Sequence, residues 1–166
     1  MGVIMGSDSD FPVMKEALDI LDYFQINYEV KISSAHRTLE RTINWVREFE
    51  EHKGSLIIAA AGLSAHLPGV IAGATLLPVI GVPIRCGALE GVDALYSIVQ
   101  MPPGIPVATV GIGAARNAGI LAAQILAQGD QALRQRLKDY RIKLAAEIEA
   151  KDLYIRDKVK SRPGQS

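Results

Sequence analysis

VIMGSDSDFPVMKEALDILDYF, residues 3–24, reads as one complete strand–turn–helix unit. Val3-Ile4-Met5 is a short apolar run suited to a strand buried on both faces. Gly6-Ser7-Asp8-Ser9-Asp10 is a polar turn built from residues that favour helix starts. A helix is expected from about Asp10, with Pro12 in its first turn and Val13, Ala17, Leu18, Leu21 and Phe24 as its buried stripe.

The same unit recurs along the chain. Residues 28–32 alternate apolar and polar in the manner of a strand. After a turn at 33–38, Thr38 is placed to cap a helix that turns Ile43, Val46 and Phe49 inward and stops at Gly54. Further strands are expected at 56–60, 78–82 and 107–110, with helices at 66–74, 91–100 and 114–127. Glu90 and Asp93 are expected to cap the helix that begins near Gly91. Strands alternating with helices specify an α/β fold, a parallel sheet with helices on both faces joined by right-handed crossovers. Residues 130–160 form a last, amphipathic helix with Leu133, Leu137, Tyr140, Leu144 and Ile148 at steps of three and four. A single domain is expected over 1–160, with 161–166 a flexible tail.

The 166 residues carry 18 Lys plus Arg against 18 Asp plus Glu. Zero net charge argues against a nucleic-acid binder, which normally has a basic surplus. Charge is unevenly spread: between residues 54 and 115 only Arg85, Glu90 and Asp93 are charged. Within that stretch 55–84 has the length of a membrane span, but His66, Pro68, Pro78, Pro83 and several glycines break it, so buried strands are expected instead of a membrane helix. A single cysteine, Cys86, and an opening without a secretory apolar segment predict a cytoplasmic protein.

Ligands of such sheets bind at the carboxyl ends of the strands, which draws attention to three loops. The first, Gly6–Asp10, offers hydroxyls and backbone N–H groups at a helix start, a setting for an anion such as phosphate. Its aspartates repel phosphate but can accept hydrogen bonds from ribose hydroxyls, so ribose with phosphate is the more coherent ligand; a simple capped turn is the alternative. The second loop, Ser33-Ser34-Ala35-His36-Arg37-Thr38, adds a planar guanidinium fork and an imidazole able to donate or accept a proton near neutral pH. A capped turn with solvent-facing His36 and Arg37 competes with that reading. The third, Ala61-Gly62-Leu63-Ser64-Ala65-His66, holds a His in apolar surroundings, where structural and catalytic roles both fit.

Other motifs are weaker. Gly111-Ile112-Gly113-Ala114-Ala115-Arg116 has Arg116 where a dinucleotide fingerprint needs its third glycine. No metal site is expected, because His36 and His66 lack a third ligand at suitable spacing and His52 lies on a charged helical face. Cys86 has no His nearby in sequence and is expected to be inert.

The ordered set Gly6-Ser7-Asp8-Ser9-Asp10, Ser34-Ala35-His36-Arg37-Thr38, Ala65-His66-Leu67-Pro68-Gly69, Leu77–Pro83, Ser97–Pro102, Pro106–Val110 and Asn117-Ala118-Gly119 resembles the purine-biosynthetic PurE family from Val3 to about Ala127. The resemblance implies a three-layer, flavodoxin-like PurE domain assembled as a homo-octamer. It implies the mutase class, which converts N5-carboxyaminoimidazole ribonucleotide to 4-carboxy-5-aminoimidazole ribonucleotide through a CO2 intermediate without metal or organic cofactor. The alternatives are the class that carboxylates aminoimidazole ribonucleotide directly, and a non-catalytic ribonucleotide-binding module. By position, His36 is the implied general acid and base, Ser7, Ser9, Ser34 and Arg37 hold the phosphate, and Asp10 the ribose. Gly62, Ser64, Ala65 and His66 line the region of the migrating carboxyl group. Leu63-Ser64 stands where the family usually has Gly-Ala, and Leu39 where it usually has Pro.

Overall fold

The structure, a computed structural model, describes residues 1–160; the expected tail at 161–166 lies outside them. The chain divides into two compact units, the first ending at Leu126 and the second beginning at Ala127.

In the first unit the elements alternate as expected: β1 (Gly2–Met5), α1 (Phe11–Tyr23), β2 (Glu29–Ile32), α2 (Leu39–Glu51), β3 (Ile57–Ala61), α3 (Leu67–Ala72), β4 (Val79–Pro83), α4 (Val92–Val99), β5 (Ala108–Thr109) and α5 (Ala115–Leu126). The strands form one parallel sheet in the order β2-β1-β3-β4-β5. This is the flavodoxin-like order, in which the chain leaves β1 to one side and returns to its other side as β3. A crevice opens at that reversal, beyond the carboxyl ends of the strands.

Period-two alternation sorts the strand side chains into two cores. Val3, Met5, Ile58, Ala60, Ile80 and Val82 pack with Met14, Ala17 and Leu21 of α1 and Ala115, Ala118 and Ala122 of α5. Ile4, Ile57, Ala59, Ala61 and Val79 face the other way, onto Trp45, Val46 and Phe49 of α2, Leu67 and Ile71 of α3, and Ala94 and Ile98 of α4. Within the uncharged stretch at 54–115, β3 and β4 are buried on both faces. Gly119 lets α5 lie close on α1: a β-carbon there would overlap Ile20 Cγ2 and sit 3.1 Å from the Ala17 carbonyl oxygen.

Several local expectations need correction. Val13 and Leu18 of the expected α1 stripe pack half-buried against the core, and Met14 and Ile20 are fully buried beside them, because α1 serves both the sheet and α5. Val30 and Ile32 of β2 stay largely exposed, since β2 is the edge strand of the sheet. Thr38 occupies the N-cap of α2 without capping it through its side chain. Its hydroxyl accepts the Ser34 N–H (3.0 Å) and donates to the Ser34 carbonyl (3.1 Å), so it closes the preceding loop instead. Neither Glu90 nor Asp93 caps α4, whose N-cap is Gly91 at φ 89°. Glu90 turns out to Arg85 (3.3 Å), and Asp93 lies inside the first turn.

The second unit holds α6 (Gln131–Lys160), started by Asp130, whose carboxylate accepts the Leu133 N–H at 2.9 Å. Leu133, Leu137 and Tyr140 of the expected stripe are buried, whereas Leu144 and Ile148 are exposed. No helix among the described residues is long and apolar enough to cross a membrane.

Candidate active site

The first loop forms a 3-10 turn at Asp8–Asp10 and is fixed by its own side chains. Ser7 Oγ accepts the Ser9 N–H (3.3 Å), and the Asp10 carboxylate accepts the Ser7 N–H (3.1 Å), a reciprocal capping box one turn before α1. Ser9 Oγ donates to Ser7 Oγ at 3.0 Å. Asp10 is 7% exposed, and burial raises its carboxyl above the ordinary range, opposed by the hydrogen bonds from Ser7, Ser9 and Gly6.

A buried hydroxyl cluster holds the second loop. Ser33 Oγ lies 2.8 Å from Thr42 Oγ1 and 3.0 Å from Thr38 Oγ1, which ties the end of β2 to α2. The Arg37 N–H donates to Ser34 Oγ (3.3 Å), and this closed turn presents His36 and Arg37 outward. Among the described residues no carboxylate pairs with Arg37, so its guanidinium is available to an anion.

The third loop makes two tight turns, with Ala65 N–H donating to the Leu63 carbonyl (2.8 Å) and His66 N–H to that of Ser64 (2.6 Å). Leu63 sits at φ 53°, a left-handed conformation that costs a residue with a β-carbon roughly 1–2 kcal/mol. Gly62 is required by close approach: a β-carbon there would overlap Cys86 Sγ on the loop after β4.

These loops enclose a pocket of about 350 Å³ lined by Ser7, Ser9, Asp10, Ser34, His36, Arg37, Gly62, Ser64 and His66. Of the expected site residues only Ala65 is off the lining; it is 1% exposed and packs into the core beneath the loop. Leu63, within the loop expected to line the site, is on the lining too, and Leu67, Ala61 and Cys86 join it from positions with no such expectation. The signal for Cys86 is topological, since parallel pairing of β3 with β4 brings their following loops side by side.

At the centre, His36 Nε2 lies 2.6 Å from His66 Nδ1, the rings meeting edge to face. β2 and β3 flank β1, about 10 Å apart, and the two imidazoles bridge that gap over the end of β1, where Gly6 adds no side chain. A hydrogen bond between imidazoles needs one nitrogen protonated and the other not, so the pair holds at most one extra proton while bonded. Among the described residues no group of three His, Cys, Asp or Glu is arranged to hold a metal. The pocket therefore has a polar side with hydroxyls, a carboxyl and a free guanidinium, an apolar side, and a hydrogen-bonded pair of imidazoles between them.

The model of the family described as AIR carboxylase matches residues 1–147. The N5-carboxyaminoimidazole ribonucleotide mutase of Pyrococcus abyssi is 57% identical over 141 residues, 85% of this chain and 81% of that protein. The mutase of the same name from Thermotoga maritima is 52% identical over 148 residues, 89% of this chain and 86% of its own. The crystal structure of Treponema denticola PurE superposes with a TM-score of 0.85 at 32% identity, over 92% of this chain and 96% of that one. With a family match over most of its length and relatives more than half identical, this chain belongs to the AIR carboxylase family.

Proposed function

We propose that the pocket converts N5-carboxyaminoimidazole ribonucleotide to 4-carboxy-5-aminoimidazole ribonucleotide, a step of purine biosynthesis. The observation that carries the reading is the 2.6 Å contact of His36 with His66, set between a polar and an apolar pocket wall. The names of the relatives given above support it.

Arg37 supplies a bidentate fork for the 5′-phosphate, with Ser7, Ser9 and Ser34 as hydroxyl donors. Asp10 accepts from the ribose hydroxyls. With the nucleotide so held, the imidazole ring points toward His36 and the third loop. His36 donates a proton to the exocyclic nitrogen as its bond to the carboxylate carbon breaks; the bonding pair stays on nitrogen and CO2 leaves. C4 then attacks CO2 through the enamine-like π system, forming the new carbon–carbon bond. The C4 proton returns to a basic imidazole, and the ring regains aromaticity. One proton is delivered and one recovered, so His36 ends as it began. His66 holds His36 in one orientation and can share the proton.

A homo-octamer in the cytoplasm accompanies this reading. Leu89, just before α4, and Val92, Tyr96 and Val99 along it are exposed apolar residues, and Ile148 and Ile155 lie exposed on α6, surfaces of the kind that copies of a chain cover. Sedimentation should then report eight times the 17.9 kDa of one chain.

Direct carboxylation is the second reading, favoured by the family's description. Feeding the N-carboxylated nucleotide and, separately, the free aminoimidazole ribonucleotide with bicarbonate decides between them. Fast conversion of the first alone supports the mutase, efficient use of the second at modest bicarbonate supports the carboxylase, and turnover of neither leaves a binding module.

A further inference from the structure

β2 ends the sheet, and among the described residues no segment pairs with its outer side. The N–H groups of Glu29 and Ser33 donate to the Met1 and Met5 carbonyls, each at 3.0 Å. Backbone groups of successive residues in a strand face opposite neighbours, so Val30 and Ile32 turn their N–H and C=O groups to the open side. Their side chains are 43% and 44% exposed and lie on the α1 face of the sheet, in register with Val3 and Met5. Glu29 and Lys31 lie on the other face, beside Trp45 and Glu48 of α2, around a hollow of about 390 Å³. Among the described residues neither of these two charges has a side-chain ion-pair partner.

A lysine inside an exposed edge strand ordinarily keeps other strands away. Here a glutamate stands two residues before it, and one arrangement makes the pair complementary to itself. We infer that the β2 edge is a docking surface for β2 of a second copy of this chain, paired antiparallel about a two-fold axis at Val30. Val30 then faces the partner's Val30, and the two exchange both backbone hydrogen bonds, as the outward groups of that residue require. Glu29 comes opposite the partner's Lys31, and Lys31 opposite the partner's Glu29, at the closer, non-hydrogen-bonded positions where side chains meet. Ile32 meets the partner's Tyr28, so apolar residues cover each other on the α1 face. An axis at Glu29 or at Lys31 would instead set like charges directly opposite, which destabilises a strand pair. The contact uses the same patch on both copies and closes on itself, so it removes both exposed edges without leading to a fibre. It uses none of the pocket residues and stands apart from the chemistry proposed for them.

Hydrogen exchange of the full chain, read residue by residue by mass spectrometry, tests the edge. In wild type the Val30 and Ile32 amides should be protected, like the Ser33 amide that bonds to Met5. Glu29→Lys and Lys31→Glu should each speed exchange at Val30 and Ile32 about tenfold or more, because each sets like charges opposite at two places. The Ser33 amide should keep its protection in every variant and reports that the strand is folded. Combining Glu29→Lys with Lys31→Glu restores opposite charges and should restore the protection. Independently, Glu29→Cys combined with Lys31→Cys should give a disulfide-linked dimer on mild oxidation, joined between 29 and 31. Either cysteine alone, roughly 8 Å from its own copy in the partner, should not cross-link. Unprotected Val30 and Ile32 amides in wild type overturn the inference. So does protection without the cross-link between 29 and 31, without rescue by the double reversal, or with equal cross-linking by the single cysteines.

Discussion

Between β1 and α1, the Ser7, Ser9 and Asp10 side chains hydrogen-bond one another and the loop backbone. Between β3 and α3, the side chains of residues 62–66 contribute, among the described residues, one hydrogen bond, between His66 and His36, and the loop is shaped by two tight turns, a glycine against Cys86 and a strained leucine. Both loops leave adjacent parallel strands at the same sheet edge, so topology does not set them apart. On the proposed function, the difference lies in what each must hold. Hydroxyls already satisfied by one another can rotate to a phosphate or ribose at little cost in order. A wall facing a neutral carbon fragment gains from shape alone, and shape is fixed by packing and backbone conformation.

If that division of labour is correct, variants on the two sides should fail in different ways. The largest effect is expected at the junction: His36→Asn should lower turnover by roughly 10²–10⁴-fold while leaving calorimetric affinity for aminoimidazole ribonucleotide nearly unchanged. Turnover close to wild type would remove His36 from the proton chemistry. On the polar side, Arg37→Ala gives up a charge-assisted contact, so nucleotide affinity should fall about 10–100-fold. Binding of the nucleoside without its phosphate should change little, and an equal loss for both would break the assignment. On the apolar side, Gly62→Ala should cost about 1–3 kcal/mol in denaturant unfolding through its collision with Cys86. Adding Cys86→Ala should recover much of that loss, and simple additivity of the two would contradict the packing described.

The smallest effect is a pH dependence. Burial raises the Asp10 carboxyl above its ordinary value of about 3.9 in the folded chain, so the folded state holds this proton more tightly than the unfolded one. Its contribution to stability is present below about pH 4 and is lost as pH rises through the raised folded value. Asp10→Asn lacks this titration, so wild type should lose stability relative to the variant over that window, read from urea midpoints. A relative gain for wild type with rising pH would reverse the sign and the cause.

The βα alternation was legible because apolar runs, polar turns and glycines punctuate it in order, and nearly every expected element is present. Boundaries were least legible where runs are uniformly apolar: β3 and β4 each lie one residue later than expected, since neither 56–61 nor 78–83 contains a polar residue to mark an end. The polar residues of the pocket were readable from loop position. The pairing of His36 with His66 was not, because thirty residues separate them and only the strand order β2-β1-β3 makes them neighbours. Cys86 has no His nearby in sequence, yet the β3–β4 pairing brings it to the same pocket as both histidines. Thr38 carried a capping signal that the Ser33 and Ser34 groups absorb instead, a competition between two local hydrogen-bond partners that sequence spacing leaves open.

The central claim is that one pocket holds a ribonucleotide by its polar wall while a carboxyl group moves across its apolar one. A single turnover of wild-type chain with N5-carboxyaminoimidazole ribonucleotide carrying 13C in its carboxyl group tests this directly by NMR. The account predicts that the label disappears from the carbamate signal and reappears, largely intact, as the carboxylate on C4. Label that remains on nitrogen, or that leaves entirely as bicarbonate with no C4 product, would contradict it.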